Sequence, residues 1–274
     1  MAVNFIELIK KTGCDEAVPA FNIDNLESAL AVAEAVKETG KGVIVQTIPR
    51  TLRYGGVAVY PAMVKALMDG YDDLYCMHLD HGDGARLASE CVKAGFSSVM
   101  FDGSALSFEE NVQKTRAVKA VLPKGITLEA ELGAVGGREE TVSAVRYTDP
   151  FQATEFVKAT ECDSLAVGVG NAHGFYKGTP DIKVDLIEKI RSKTNIPLVL
   201  HGASGLCDEV LRDCIKAGIK KINFATELRK AFTDGMKKGL ASNENCIDPK
   251  IYLAEAVAEI KKTVLAKMAI CYKL

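Results

Sequence analysis

The sequence predicts an α/β fold, a (β/α)8 TIM barrel with one additional C-terminal helix. Three observations carry this. Short apolar runs alternate with 3.6-residue periodicities along the whole chain, the pattern of a parallel sheet with crossover helices. The alternation repeats as eight strand–helix units within 274 residues, which suits a closed barrel better than an open doubly wound sheet. No Gly-x-Gly-x-x-Gly opens a helix after the first strand, so a dinucleotide-binding fold is the weaker alternative.

Residues 18–23 read as the first strand. A helix follows over 25–38, with Leu26, Leu30, Ala33 and Val36 at helical spacing and Gly40 as its stop. Residues 42–47 give strand two and 60–69 its helix. Strand three covers 74–80, and the helix over 85–94 ends at Gly95. Strand four covers 97–102. Ser107, with Glu110 three residues on, caps a helix over 108–121. Strand five spans 126–132, and a long polar loop, 133–148, precedes a helix over 150–160. Strand six (164–169) leads to a helix over 183–193, and strand seven (196–200) to one over 207–217 closed by Gly218. Strand eight (220–225) leads to a helix over 227–240. Residues 243–249 link to a final amphipathic helix over about 251–268. Nothing divides the chain, so residues 1–274 read as one barrel domain.

Composition narrows the function. The chain is 48% hydrophobic, enough for a large core. Its formal charge is -2 with no long run of one sign, which argues against nucleic acid or an anionic membrane as partner. No basic segment followed by an apolar one opens the chain, and no apolar run approaches about 18 residues, so no membrane span and a cytoplasmic location are expected. The eight cysteines include no C-x-x-C pair and read as reduced, mostly buried thiols.

In a barrel of this kind chemistry sits at the C-terminal ends of the strands. Polar residues that look misplaced in apolar runs fall there: Asp80 and His81 after strand three, Asp102 after four, and Glu129 and Glu131 in five. His173 follows strand six, His201 follows seven, and Asn223 lies in eight. The chain has only four histidines, and three come from three separate strand ends. Neutral imidazole is a common zinc ligand, and a catalytic zinc takes three protein ligands and keeps one position open. His81, His173 and His201 are therefore the candidate metal ligands. His78 lies three positions before His81, and in a regular strand odd spacing sends the two to opposite faces. It is expected in a structural role or behind the ligands.

Asp80, beside a candidate ligand, suits either a general acid/base or an acceptor for a ligand's second N–H. Glu139 and Glu140 follow Gly136-Gly137 in the long loop. They suit either a closing loop that carries a proton or a solvated acidic loop. His201-Gly202-Ala203-Ser204-Gly205 and Asn223-Phe224-Ala225-Thr226 end strands seven and eight, where these barrels commonly hold phosphate. Glycines there let backbone N–H groups approach oxygens, and Ser204 and Thr226 add hydroxyls.

These motifs together resemble the class II, zinc-dependent fructose-bisphosphate and tagatose-bisphosphate aldolases. The resemblance rests on His78-Leu79-Asp80-His81, on Leu128-Glu129-Ala130-Glu131-Leu132-Gly133 with Gly136-Gly137 and Glu139, on Ala172-His173-Gly174, and on the two strand-end motifs above. It runs in order from Ala20-Phe21-Asn22 to the final helix. It implies reversible cleavage of a ketose 1-phosphate or 1,6-bisphosphate to dihydroxyacetone phosphate and an aldehyde, by a homodimer or homotetramer. It implies Zn2+ on His81, His173 and His201, with Glu131 an alternative ligand. A monovalent cation near the phosphate is common in the family. Asp80 would shuttle the proton of the aldehyde oxygen and Glu139 that of the nucleophilic carbon. Gly174, Gly202, Ala203, Ser204, Asn223, Ala225 and Thr226 would bind dihydroxyacetone phosphate. Three neutral ligands leave the ion positive, which suits an oxyanion and makes a Schiff-base lysine such as Lys221 unnecessary.

The chain departs from the family on the aldehyde side. Where the family reads close to Gln-x-Ser-x-Gly, this chain has Gln46-Thr47-Ile48-Pro49-Arg50. Asp248-Pro249-Lys250 replaces a common Asp-Pro-Arg, and Ala225 stands where fructose-specific members often carry Asp, a lean toward the tagatose branch. Arg50, with Arg53 nearby, is the candidate contact for an anionic aldehyde, phosphorylated or sulfonated. Arg50 also suits a plain surface position on the strand-two loop. Two other functions compete with an aldolase. One is a non-catalytic accessory subunit of a class II aldolase, which would have lost metal ligands or Asp80. The other is a metal-dependent barrel hydrolase, which product analysis would separate.

Overall fold

The structure is a computed structural model that describes residues 2–136, 146–176, 178–242 and 244–274. Its eight strands are β1 (Val18–Asn22), β2 (Val43–Thr47), β3 (Tyr75–Gly82), β4 (Ser98–Phe101), β5 (Thr127–Leu132), β6 (Ser164–Val167), β7 (Leu198–Leu200) and β8 (Ile219–Phe224). Each pairs parallel with the next, and β8 pairs back onto β1, so the sheet closes into a barrel in chain order. The helices up to β4 are α1 (Phe5–Ile9), α2 (Leu26–Thr39), α3 (Pro49–Gly55), α4 (Val59–Leu67) and α5 (Ala85–Ala94). Those after it are α6 (Phe108–Val121), α7 (Pro150–Thr160), α8 (Val184–Lys193), α9 (Asp208–Ala217), α10 (Thr226–Ser242) and α11 (Pro249–Tyr272).

The expected elements are present with ends shifted by a few residues. The Ser107–Glu110 capping box starts α6 as expected. Two helices go beyond the sequence reading. α1 is one short turn and a half, closed by an Asn4–Glu7 capping box. α3 begins with Pro49 at its first turn, where proline's fixed φ and missing N–H cost nothing. Arg50 therefore sits in the first turn of a helix, not in an irregular loop.

Period-two alternation sorts the strand residues into two cores. One face packs outward against the helices: Phe21, Val45, Leu79, Val99, Leu128, Val167, Leu200 and Ile222 belong to that larger cluster. The other face fills the barrel. Its lower layer is apolar, with Val18, Ala20, Ile44, Cys76, Met100, Ala166 and Val199, and α1 covers it with Phe5 and Leu8. Further toward the C-terminal ends the same face turns polar: Asn22, Gln46, His78, Asp80, Glu129, Glu131, His201, Lys221 and Asn223 are all buried. Burying so many polar groups is tolerable only if they bond to one another, and this defines the upper half of the barrel. No helix among the described residues is long and apolar enough to cross a membrane.

Candidate active site

β3 supplies the first side chains. His78 and Asp80 alternate onto the interior face, and a regular strand would turn His81 outward. The strand is not regular at its end. Its register against β4 shifts between Leu79 and Gly82, and His81 takes φ 51°. This irregularity swings the His81 ring back over the barrel mouth, where its Nε2 lies 3.0 Å from His201 Nδ1. The expectation that His78 and His81 face apart is thereby corrected. His78 stays out of the histidine cluster because it lies a layer deeper, with Nδ1 2.8 Å from Ser98 Oγ and Nε2 3.3 Å from Lys221 Nζ.

His173 joins from the loop after β6. Its backbone N–H donates to Gly136 O at 2.7 Å, and Tyr176 Oη accepts from the Ala172 N–H while donating to Gly202 O. Gly202 has φ 63°, and a Cβ there would collide with the Ala172 carbonyl, so only glycine lets the loops after β6 and β7 touch. Asn171 donates to His201 O from the same loop at 2.9 Å. One nitrogen each from His81, His173 and His201 falls within 4.8 Å of the others.

The donor set fits a metal. His81 turns Nδ1 to Asp102 Oδ2 at 3.0 Å, and His201 turns Nε2 to Glu129 Oε1 at 2.8 Å. Each ring thus spends one nitrogen on a carboxylate and presents the other to the shared point, as metal-ligating imidazoles do. Three nitrogen donors match the ligand set of a catalytic zinc. His81, Asp102 and Glu131 form a second overlapping group able to hold a metal ion. Burial, and then the neighbouring Asp102 charge, holds Glu131 well above the ordinary carboxylate range, so that pocket favours a cation or a proton.

Asp80 lies 3.6 Å from His81 Nε2. Its carboxylate accepts from Asn22 at 2.8 Å and from Asn223 at 3.2 Å, and Gln46 in turn donates to Asn22. Burial alone would raise its pKa. The neighbouring His201 ring, the Lys221 ammonium and the Asn22 bond outweigh that and hold Asp80 below the ordinary range. Asn22, Gln46, Asn171 and Tyr176 escaped the sequence reading as site residues. Asn22 and Gln46 carried a usable signal, since both are polar residues at inward positions of apolar strands.

The other candidates lie around the same rim. Gly202, Ala203 and Ser204 are buried in the turn after β7, and Gly205 N–H donates to Glu227 in the first turn of α10 at 2.7 Å. Ala225 and Thr226 lie at the junction of β8 and α10, and Gly174 takes φ 87° next to His173. Arg50 is exposed at the β2 side of the rim, where its charge acts on Asp24, the residue that also pairs with Arg229 at 2.7 Å. Glu139 lies outside the described residues.

A closed parallel barrel with imidazoles and carboxylates gathered at its C-terminal strand ends is the architecture of the barrel enzymes. Comparison with known proteins narrows this. The sequence matches the class II fructose-bisphosphate aldolases over residues 5–273, and the chain belongs to that family. It is similar to the YdjI aldolase from Escherichia coli K12, with 31% identity over 99% of this chain and 97% of that one, and a TM-score of 0.86. It shares its fold with a fructose-bisphosphate aldolase (Fba) from Campylobacter jejuni, with 23% identity over 97% of this chain and 92% of that one, and a TM-score of 0.78.

Proposed function

We propose that the protein is a zinc-dependent aldolase that reversibly cleaves a ketose 1-phosphate or 1,6-bisphosphate to dihydroxyacetone phosphate and an aldehyde. The observation that carries this reading is the meeting of three imidazoles within 4.8 Å, with the Asp80 carboxylate 3.6 Å from one of them. His81, His173 and His201 would hold zinc, and the ion's chemistry there is Lewis-acid stabilisation of the oxyanion that forms as the C3–C4 bond opens. Asp80, ionised and fixed by Asn22 and Asn223, takes the proton of the C4 hydroxyl. Glu139 returns a proton to the carbon. Gly174, Gly202, Ala203, Ser204, Asn223, Ala225 and Thr226 bind the phosphorylated three-carbon half, aided by the N-terminus of α10. Arg50 contacts an anionic group on the aldehyde, a phosphate or a sulfonate. A monovalent cation near the phosphate and assembly as a homodimer or homotetramer complete the reading.

The test is release of dihydroxyacetone phosphate by zinc-loaded protein from fructose 1,6-bisphosphate, tagatose 1,6-bisphosphate, fructose 1-phosphate and sulfofructose 1-phosphate, with and without chelator. Chelator-sensitive release is expected from at least one. Arg50→Ala is expected to slow cleavage yielding anionic aldehydes at least tenfold more than cleavage yielding neutral ones. No release from any substrate, with zinc verified, would move the reading to a non-catalytic accessory subunit.

A further inference from the structure

Beneath the histidine cluster runs a buried chain that the reaction itself does not use. Thr127 Oγ1 donates to Ser98 Oγ at 2.9 Å, and Ser98 Oγ lies 2.8 Å from His78 Nδ1. His78 Nε2 lies 3.3 Å from Lys221 Nζ, and Lys221 Nζ lies 2.7 Å from Glu129 Oε2. The other Glu129 oxygen lies 2.8 Å from His201 Nε2. Lys221 is fully buried and Glu129 nearly so. The donor and acceptor inventory assigns the hydrogens almost uniquely. An ammonium only donates, so His78 Nε2 accepts and its Nδ1–H donates to Ser98. A carboxylate held by an ammonium only accepts, so His201 donates from Nε2. The lone pair of His201 is then left on Nδ1, the nitrogen 3.0 Å from His81 Nε2 at the common point.

We propose that Lys221 is a positioning residue: through Glu129 it fixes the Nε2–H tautomer of His201, so that Nδ1 is free to bind the metal before any metal arrives. The proposal rests on the reading of His81, His173 and His201 as metal ligands. Without the ammonium, Glu129 loses the partner that fixes its plane, and His201 is free to sample both tautomers. Outer partners of metal-ligating histidines typically matter by about 10–100-fold in affinity, and here the lysine stands one bond further out, behind the carboxylate.

The experiment uses metal-free protein labelled with [15N]histidine. With four histidines in the chain, long-range 1H–15N correlation spectra are assignable by single substitutions. Wild-type His201 is expected as the Nε2–H tautomer. In Lys221→Met and Glu129→Gln it is expected as a mixture or as Nδ1–H, with zinc affinity, measured by competition with a chromogenic chelator, reduced at least tenfold. A wild-type Nδ1–H tautomer, with Nε2 accepting from the Asn223 amide 3.2 Å away, would overturn the proposal without any variant. Lost affinity with the tautomer unchanged would overturn it too, since a merely structural lysine gives that result. The competition assay on wild type separates the two readings, because absence of tight zinc binding removes the metal site itself whatever the tautomer.

Discussion

His81 takes φ 51°, one of three non-glycine residues in the left-handed region among those described. Histidine tolerates that region better than most side chains, yet the conformation costs roughly 1 kcal/mol or more. It persists because it carries the ring from the outer face of β3 to the barrel mouth. Its neighbour on the chain, His78, meets a different constraint. Burial, reinforced by the Lys221 charge, lowers its pKa to about 3, against 6.5 for the unperturbed ring. The sign of the consequence follows from proton counting. Between pH 6.5 and 3 the unfolded chain binds a proton at this ring and the folded chain does not, so stability falls as pH drops through that window. The limiting slope is about 1.4 kcal/mol per pH unit. Urea unfolding in chelator from pH 7 to 4.5 checks it. His78→Asn is expected to be less stable at pH 7 and to lose distinctly less on acidification. Parallel pH profiles for the two proteins would mean that His78 is not held neutral.

At the scale of elements, α10 and α11 show how close approach overrides local propensity. A Cβ on Gly239 would strike the Tyr252 carbonyl oxygen, and one on Gly235 would stand 2.6 Å from Ala256 Cα. Alanine exceeds glycine by about 1 kcal/mol in an open helix. Here Gly239→Ala is expected to destabilise instead, by about 1–3 kcal/mol from overpacking, read as a lower urea midpoint with unchanged helical circular dichroism. α11 also secures the barrel's lower rim, where the Tyr272 hydroxyl donates to Gly42 O at 2.6 Å and Cys271 O accepts from Ala17. Elements with a strong period or a complete cap were legible in the sequence, as α6 with its Ser107–Glu110 box demonstrates. α1 was not, because five residues carry too little periodicity, although Asn4 and Glu7 form the same kind of box. α3 was not, because Pro49 reads equally as a helix start or as a turn. The candidate metal residues were legible because imidazoles after apolar strands stand out. The Lys221–Glu129–His201 chain was not, because its partners are 92 and 72 residues apart and meet only through the closure and stagger of the barrel.

At the scale of the whole molecule, the histidine cluster joins β3 to β6 and β7, neither of which pairs with it. His81 ends β3, whereas His173 and His201 follow β6 and β7 on the far side of the barrel. An ion held by all three would tie opposite walls together at the open mouth, and the unfolded chain could not reproduce that site. Binding to the folded state alone then stabilises the fold by about 2.7 kcal/mol when free zinc is 100 times its Kd. For chains approaching this size each kcal/mol shifts Tm by about 2–4 °C. The melting temperature is therefore expected to climb by about 5–10 °C over that range of zinc and to fall back on adding chelator. His173→Ala tests whether the gain comes from this site. His173 reaches the cluster on a loop rather than from inside a strand, so its loss should leave the barrel folded while most of the zinc-dependent shift disappears. The exposed thiols of Cys14 and Cys207 offer competing zinc ligands at the surface. A shift that survives His173→Ala but is abolished by blocking those thiols would assign the stabilisation to the surface and remove the three-histidine site as the cause.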